Sequence, residues 1–280
     1  MNLPGQKGDI RNLLLRVAYD GGDFCGWQIQ PQRPTIQGTL GAALEQICGE
    51  KMEVCGSGRT DAGVHACGQA ANIKLSSPIP CPNLVKAVNR LLPESIRVLS
   101  AQPVPDNFHA RYHARSKTYR YRIFRGQICP PWLCRYVLPY SYPLDEAAIV
   151  EAAKYFQGTL DFRSFAAVDE DQEAQEKSCV RTVFSSVVTR QGEELVYTIQ
   201  GNGFLRHMVR NIAGTLIEVG RGRIAPEGIL EILAAQHRSA AGPTAPARGL
   251  HLVSVSYPAD PDPAEQPSPL DKHGVPIKIE

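Results

Sequence analysis

Apolar and polar positions along the chain follow two rhythms, one of alternation and one of helical spacing. Asn12 to Ala18 is an almost unbroken apolar run closed by Asp20-Gly21-Gly22, which predicts a buried strand and a turn. Thr35 precedes Ile36 to Cys48, where Leu40, Leu44 and Ile47 recur at helical spacing, so a capped helix is expected there. A strand over Met52 to Cys55 leads into the glycine-punctuated stretch Gly56-Ser57-Gly58-Arg59-Thr60-Asp61-Ala62-Gly63. Gln69 to Leu75 reads as strand, Asn83 to Leu92 as helix, Ile96 to Val104 as strand and Lys117 to Arg125 as strand. In that last segment alternation puts Tyr119, Tyr121 and Ile123 on one face and Arg120 and Arg122 on the other.

The second half repeats a similar order. Asp145 to Phe156 is an amphipathic helix, and Val180 to Thr189 with Glu194 to Gln200 forms a hairpin around Gln191-Gly192. Phe204 to Val219 predicts a long helix, Pro226 to Ala235 a shorter one and His251 to Tyr257 a closing strand. Strands and helices alternate without strict β-α-β regularity, which favours an α+β architecture with a mostly antiparallel sheet and helices packed on it. From element order alone we expect two similar subdomains sharing one extended sheet, with a central basic cleft between them. The expected division is a flexible N-terminus over 1–10, an N-terminal subdomain over 11–125 and a C-terminal one over 126–257. Residues 258–280 hold six prolines and few apolar positions, so that tail is expected to be disordered.

Composition narrows the class. The 280 residues are 43% hydrophobic and 21% charged, ordinary for a globular protein with a real core. No run approaches the ~18 apolar residues of a membrane helix, and the polar N-terminus lacks a secretory stretch; a cytoplasmic protein is expected. The eight cysteines are scattered without Cys-x-x-Cys pairs, and the seven histidines lack metal-ligand spacing on a helix, so neither a disulfide framework nor a metal site is predicted. Charge is unevenly placed. Residues 1–125 carry a net +7 and residues 126–280 a net −5, the latter owing to the acidic segments Asp169 to Lys177 and Pro258 to Glu280. The remaining body is moderately basic, as a polyanion binder would be.

Three segments could carry chemistry. Around Asp61, small residues let the backbone turn sharply and approach a ligand closely; equally, a loop aspartate commonly bonds its own turn. The stretch is not a phosphate loop: it lacks Gly-Lys-Ser/Thr, and Asp61 stands where a dinucleotide fingerprint needs its third glycine. Arg111 to Arg125 holds six bases, no acids and four interleaved Tyr/Phe. Such a strand can meet phosphates and stack on unpaired bases, or can be a sheet strand with a solvated basic face. Along Phe204 to Val219, Phe204, Leu205, Met208, Val209, Ile212 and Leu216 form an apolar stripe. Arg206 and Arg210, spaced i and i+4, lie together opposite it with Arg221 just beyond, a basic ridge that the pattern alone reads as plain solvent exposure. His207 and Asn211 sit beside them. No Gly-x-Ser-x-Gly elbow supports a serine hydrolase.

Together these pieces resemble the tRNA pseudouridine synthase A family over nearly the whole chain. Gly56-Ser57-Gly58-Arg59-Thr60-Asp61-Ala62-Gly63-Val64-His65-Ala66 resembles its catalytic motif. Tyr19-Asp20-Gly21 with Phe24-Cys25-Gly26-Trp27-Gln28 is similar to its opening strand and loop. Asn107-Phe108-His109-Ala110-Arg111 and Lys117-Thr118-Tyr119-Arg120-Tyr121 are similar to its middle, and Phe204-Leu205-Arg206-His207-Met208-Val209-Arg210-Asn211 to its long helix. Arg206 departs from the histidine common among relatives.

The resemblance implies a two-part α+β fold, a homodimer and isomerisation of uridine to pseudouridine at positions 38, 39 and 40 of the tRNA anticodon arm. It implies Asp61 as nucleophile, Tyr119 stacked on the target uracil, Arg210 paired with the aspartate, and no metal or organic cofactor. Arg59, Arg111, Lys117, Arg120, Arg122 and Arg206 are the expected RNA contacts. The chemistry is consistent: nothing is oxidised and no group is lost, so a carboxylate that attacks and leaves suffices. Two rivals remain at this stage. One is a non-catalytic RNA-binding protein; the other is a glycosidase, which needs a second acid about 5–9.5 Å from Asp61.

Overall fold

A computed structural model describes residues 10–167 and 178–258. The acidic segment 169–177, residues 1–9 and the tail beyond Pro258 lie outside the described residues, so the expectations made for them have no counterpart here.

In chain order the strands and helices are β1 (Arg11–Tyr19), α1 (Ile36–Cys48), β2 (Cys55–Gly56), β3 (His65–Leu75), α2 (Cys81–Leu91), β4 (Ile96–Val104) and β5 (Ser116–Phe124). They continue with β6 (Leu138–Pro139), α3 (Glu146–Lys154), β7 (Gly158–Asp161), β8 (Val180–Gln191), β9 (Glu194–Gly201), α4 (Met208–Gly220), α5 (Gly228–Ala235) and β10 (Leu250–Ser256). The strands form one sheet in the order β4-β1-β3-β10-β5-β9-β8-β7, with β2 on β3 and β6 on β5. All pairs are antiparallel except β10–β3 and β5–β6. The α+β expectation holds, and the sheet runs unbroken past residue 125.

Local chemistry explains most elements. β1 lies between β3 and β4, and its Leu13, Leu14 and Leu15 are buried on both faces, which is why that run is apolar without alternation. Thr35 caps α1 by accepting from Gly38 N at 3.3 Å, and Gly49, at φ 69°, ends it in a left-handed turn. The N-cap Asp145 does the same for α3 through Ala148 N at 2.9 Å. α1 and α2 pack together beside β4, whereas α3 and α4 cover β5 and β8.

Two differences from the sequence reading bear on function. The chain's last strand lies at the middle of the sheet, wedged between β3 and β5, and its pairing with β3 is limited to His251–His65 and Leu252–Ala66. The β4-β1-β3 and β5-β9-β8-β7 sides of the sheet thus meet across β10, whose seam with β3 is short and parallel and lies beside the loop that precedes β3. The other difference is α4, which starts at Met208 rather than Phe204. His207, its N-cap, takes φ 62° and ψ −3°, a left-handed conformation that breaks the helical run, and no side chain caps the end. The expected ridge of Arg206 and Arg210 therefore does not form: Arg206 lies in the preceding turn, Arg210 turns inward, and Arg221 pairs with Glu218 at 2.9 Å.

α4 is buried along nearly its whole length. It approaches the 243–245 segment so closely that a Cβ on Gly214 would lie 1.7 Å from the Pro243 carbonyl oxygen. In an open helix Gly→Ala stabilises by about 1 kcal/mol. Here backbone must move instead, and overpacking of this kind costs on the order of 2 kcal/mol. Gly214→Ala should therefore lower stability, with a reduced melting temperature and urea midpoint; an unchanged or raised midpoint would show that the contact yields freely.

Candidate active site

The loop between β2 and β3 is fixed by its neighbours before any side chain reaches out. Trp27 N donates to Thr60 O at 3.0 Å, and Gly63 N to Phe24 O at 3.3 Å. Tyr19 and Thr60 share a hydroxyl contact of 2.9 Å. Gly26, at φ 91°, lets the opening loop lie against Thr60 and Asp61; a Cβ there would be 2.6 Å from Thr60 O. Below the loop, buried Gln69 bonds Ser57 Oγ at 2.7 Å and donates to Gly58 O at 3.1 Å. Lys117 Nζ donates to Ser57 O at 2.7 Å.

On this support the Asp61 backbone makes the turn, its carbonyl accepting from Val64 N at 3.2 Å, while the carboxylate faces α4. Arg210 Nη1 donates to Asp61 Oδ2 at 3.0 Å, and Arg210 Nε donates to Ala245 O at 2.8 Å. The guanidinium is thus held at two points. His207 Nε2 lies 3.5 Å from the same Oδ2. Among the described residues the carboxylate's two ion-pair partners, Arg210 and His207, are both bases. The Asp61 and Arg210 side chains are 24% and 16% exposed, open enough for a ligand and dry enough for the charge pair to matter.

Tyr119 is buried, with its ring edge-on to Phe204 at 5.1 Å and 83°. Burial pushes its ionisation well up, with the neighbouring Tyr19 and Asp61 adding to this, so the phenol stays neutral. Tyr19, buried beside Thr60, is likewise raised, to about 12. Burial, with the Arg111 charge nearby, lowers Lys117 to about 8. His207 is lowered by burial and by Arg210, Arg206 and Arg238, with Asp61 opposing.

The structure thus brings Asp61, Arg210, His207 and Tyr119 together. The expected RNA contacts are dispersed. Arg59 is exposed, donating to Gln28 Oε1 at 3.2 Å; Arg111 is exposed beside Tyr112, 5.9 Å from its ring centre; Arg206 is exposed in the turn before α4. Lys117 shares the Tyr119 face of β5. Arg120 and Arg122 lie on the opposite face, where Arg122 makes a bidentate pair with Glu194 at 2.7 and 2.6 Å. Sequence reasoning passed over the buttress behind the loop. His65 stacks on His251 at 4.9 Å and contacts Asp20 at 3.1 Å, and Asp20 also binds Arg135 and Tyr136. The only sequence signal for it is that Asp20 and His65 both fall inside the motif segments.

A loop carboxylate held by a guanidinium, beside a tyrosine kept neutral, is a constellation of the kind from which active sites are built. Comparison with known proteins makes this specific. A family model described as tRNA pseudouridine synthase matches residues 16–113 and 152–258. A tRNA pseudouridine synthase A of Solibacter usitatus is 51% identical over 89% of this chain and 100% of its own length. Those of Caldicellulosiruptor bescii and Halalkalibacterium halodurans are 43% and 45% identical, over 89% and 86% of this chain and 100% and 90% of theirs. The chain belongs to the tRNA pseudouridine synthase family, a family of isomerases.

The buttress has a titration signature. His251 Nε2 donates to Tyr136 O at 2.8 Å, and burial holds its pKa down at about 4. An unfolded histidine titrates near 6.5. Between those values the unfolded chain binds a proton that the native one refuses, so stability rises with pH across this window and is lost as pH falls toward 4. The contribution reaches on the order of 3 kcal/mol. Unfolding free energies from pH 4 to 7 should therefore slope less steeply for His251→Gln than for the wild type, and parallel curves would exclude the effect.

Proposed function

We propose that the chain converts uridine to pseudouridine at positions 38, 39 and 40 of the anticodon arm of tRNA, acting as a homodimer in the cytoplasm with Asp61 as nucleophile. The observation that carries this is the Asp61–Arg210 contact of 3.0 Å inside the Gly-Arg-Thr-Asp-Ala-Gly-Val-His motif, in a chain whose relatives bear the name tRNA pseudouridine synthase A. The reaction breaks the C1′–N1 bond, turns the uracil and joins C5 to C1′. A carboxylate can engage the ribose or the base and then leave, and the Arg210 guanidinium holds it in place at 3.0 Å. Tyr119 offers an aromatic face for the target uracil, and its neutral hydroxyl brings no charge into the site. Taking a stacked uridine out of RNA costs a few kcal/mol, which stacking and phosphate contacts offset.

In this reading Arg59, Arg111 and Arg206 meet phosphates from their exposed positions. Lys117 reaches the RNA through the loop it supports, and Arg120 and Arg122 act from the far face of β5, Arg122 in competition with Glu194. No helix among the described residues is long and apolar enough to cross a membrane.

Tritium release from tRNA carrying C5-labelled uridine tests the proposal. Asp61→Asn should lower release by roughly three orders of magnitude or more while tRNA still binds. Full activity in that variant would return the chain to a non-catalytic RNA binder. Arg210→Ala should lower turnover more than binding. Arg111→Ala should instead weaken tRNA binding and reduce its salt slope by about 1.

A further inference from the structure

The reaction moves one proton that the groups named so far do not account for. Uridine carries a hydrogen on C5 and none on N1; in pseudouridine C5 carries the sugar and N1 the hydrogen. Once C5 has bonded to C1′ it holds both the sugar and its hydrogen, and a base must take that hydrogen as a proton. We propose that His207 is this base. The inference rests on the reading of Asp61 above and adds a further catalytic residue to the same site.

Position is the first argument. His207 Nε2 lies 3.5 Å from Asp61 Oδ2, too long for a strong hydrogen bond and close enough to share one substrate. When the new bond forms, C5 is joined to C1′. If Asp61 engages C1′, C2′ or C6, C5 is one or two bonds from the atom it engages. A base beside the carboxylate is therefore beside C5.

Elimination among the neighbours is the second. Arg210 has no lone pair to accept a proton. Tyr119 is kept protonated by burial and by the Asp61 charge. Lys117 is tied to Ser57 O, and with a pKa of about 8 its amine is mostly protonated at neutral pH. Asp61, released once C5 has bonded to C1′, has its Oδ2 taken up by Arg210 Nη1 at 3.0 Å. His207 faces Asp61, Arg210, Arg206 and Arg238, and it stands at the N-terminal, positive end of α4. Burial and three cations outweigh one carboxylate, so the imidazole is neutral near pH 7 and keeps a free lone pair.

The backbone supplies the third. His207 holds φ 62°, a conformation that ordinary side chains avoid and that is found at sites where function requires it. It ends the turn so that the ring projects toward Asp61 instead of lying along the helix.

The step balances. Nε2 takes the C5 proton, the C–H pair becomes the C5=C6 bond, and the former N1=C6 pair moves to N1, which takes a proton in turn. The imidazolium forms next to the Asp61 carboxylate, whose charge stabilises it, and passes its proton on for the next cycle.

The test uses the full chain and tRNA with deuterium or protium at C5 of its uridines. His207→Asn tolerates the left-handed backbone and keeps a polar group, while His207→Gly removes the backbone strain altogether. Both should bind tRNA as the wild type does. His207→Asn should lower kcat by roughly 10²–10⁴-fold, and its kcat should show a larger C5 deuterium effect than the wild type. The acid limb of the wild-type pH profile should shift or disappear, and added imidazole should restore His207→Gly. Wild-type kcat and pH profile in His207→Asn would overturn the proposal. So would a slow variant with no added isotope effect and no imidazole rescue, since the histidine would then only position Asp61. If Asp61→Asn remained active, the underlying reading would fail first, independently of His207.

Discussion

The contact between Asp61 and Arg210 joins residues 149 apart in sequence, and much of the architecture serves to bring them to 3.0 Å. Its worth to folding is modest. Both groups are partly desolvated, and the loss of hydration offsets most of the attraction, so a pair like this contributes little net stability while fixing geometry. What it constrains is orientation. One carboxylate oxygen is held by α4, and the group as a whole is prevented from relaxing into the turn bonds that a loop aspartate otherwise makes.

Both ends of the pair are held from behind. On the loop side, Gln69, Lys117, Tyr19 and the opening-loop backbone leave little freedom to residues 57–63. On the helix side, Arg210 is anchored to Ala245 O, and the 243–245 segment is in turn tied to α4. Asn211 Oδ1 accepts from Thr244 Oγ1 at 2.6 Å and from Arg238 at 3.2 Å, and Asn211 Nδ2 donates to Phe165 O at 2.7 Å. Gly214, by having no side chain, brings the same segment against the helix one turn later. A polar network this buried is stable only when its members are all satisfied, which makes the position of Arg210 a property of the whole C-terminal half.

Much of this was legible in the letters. Alternation in β5 placed Tyr119 and Arg120 on opposite faces, as they are, and the Thr35, Asp145 and Gly192 signals marked a helix start, another helix start and a hairpin. Three features were hidden for physical reasons. That β10 lies at the centre of the sheet depends on long-range pairing, which leaves no local trace. β3 begins at His65, four residues before its apolar pattern starts, because His65 is buried by stacking on His251 and bonding to Asp20 rather than by hydrophobicity. The helical period of Phe204 to Val219 continues through residues that are not helical, because one left-handed residue at 207 interrupts the backbone without disturbing the pattern of side chains. That interruption also turned the supposed basic ridge into one exposed arginine and one partly shielded one.

The cations consequently divide by solvation, and the division matches the two tasks of an enzyme that acts on one base of a polyanion. Arg59, Arg111 and Arg206 are exposed, where a phosphate can approach without stripping a buried ion of its partner. Arg210 is mostly shielded and committed to Asp61, and Lys117 is committed to Ser57 O. Had Arg210 been the exposed ridge that spacing suggested, a phosphate could have taken it from the carboxylate, and RNA binding would have disarmed the site it supplies. Its commitments limit that competition: the guanidinium already has Asp61 and Ala245 O as partners, and its side chain is only 16% exposed. The exposed cations and the cation that holds the carboxylate are therefore separate residues, Arg206 and Arg210 being set apart by the left-handed turn at His207.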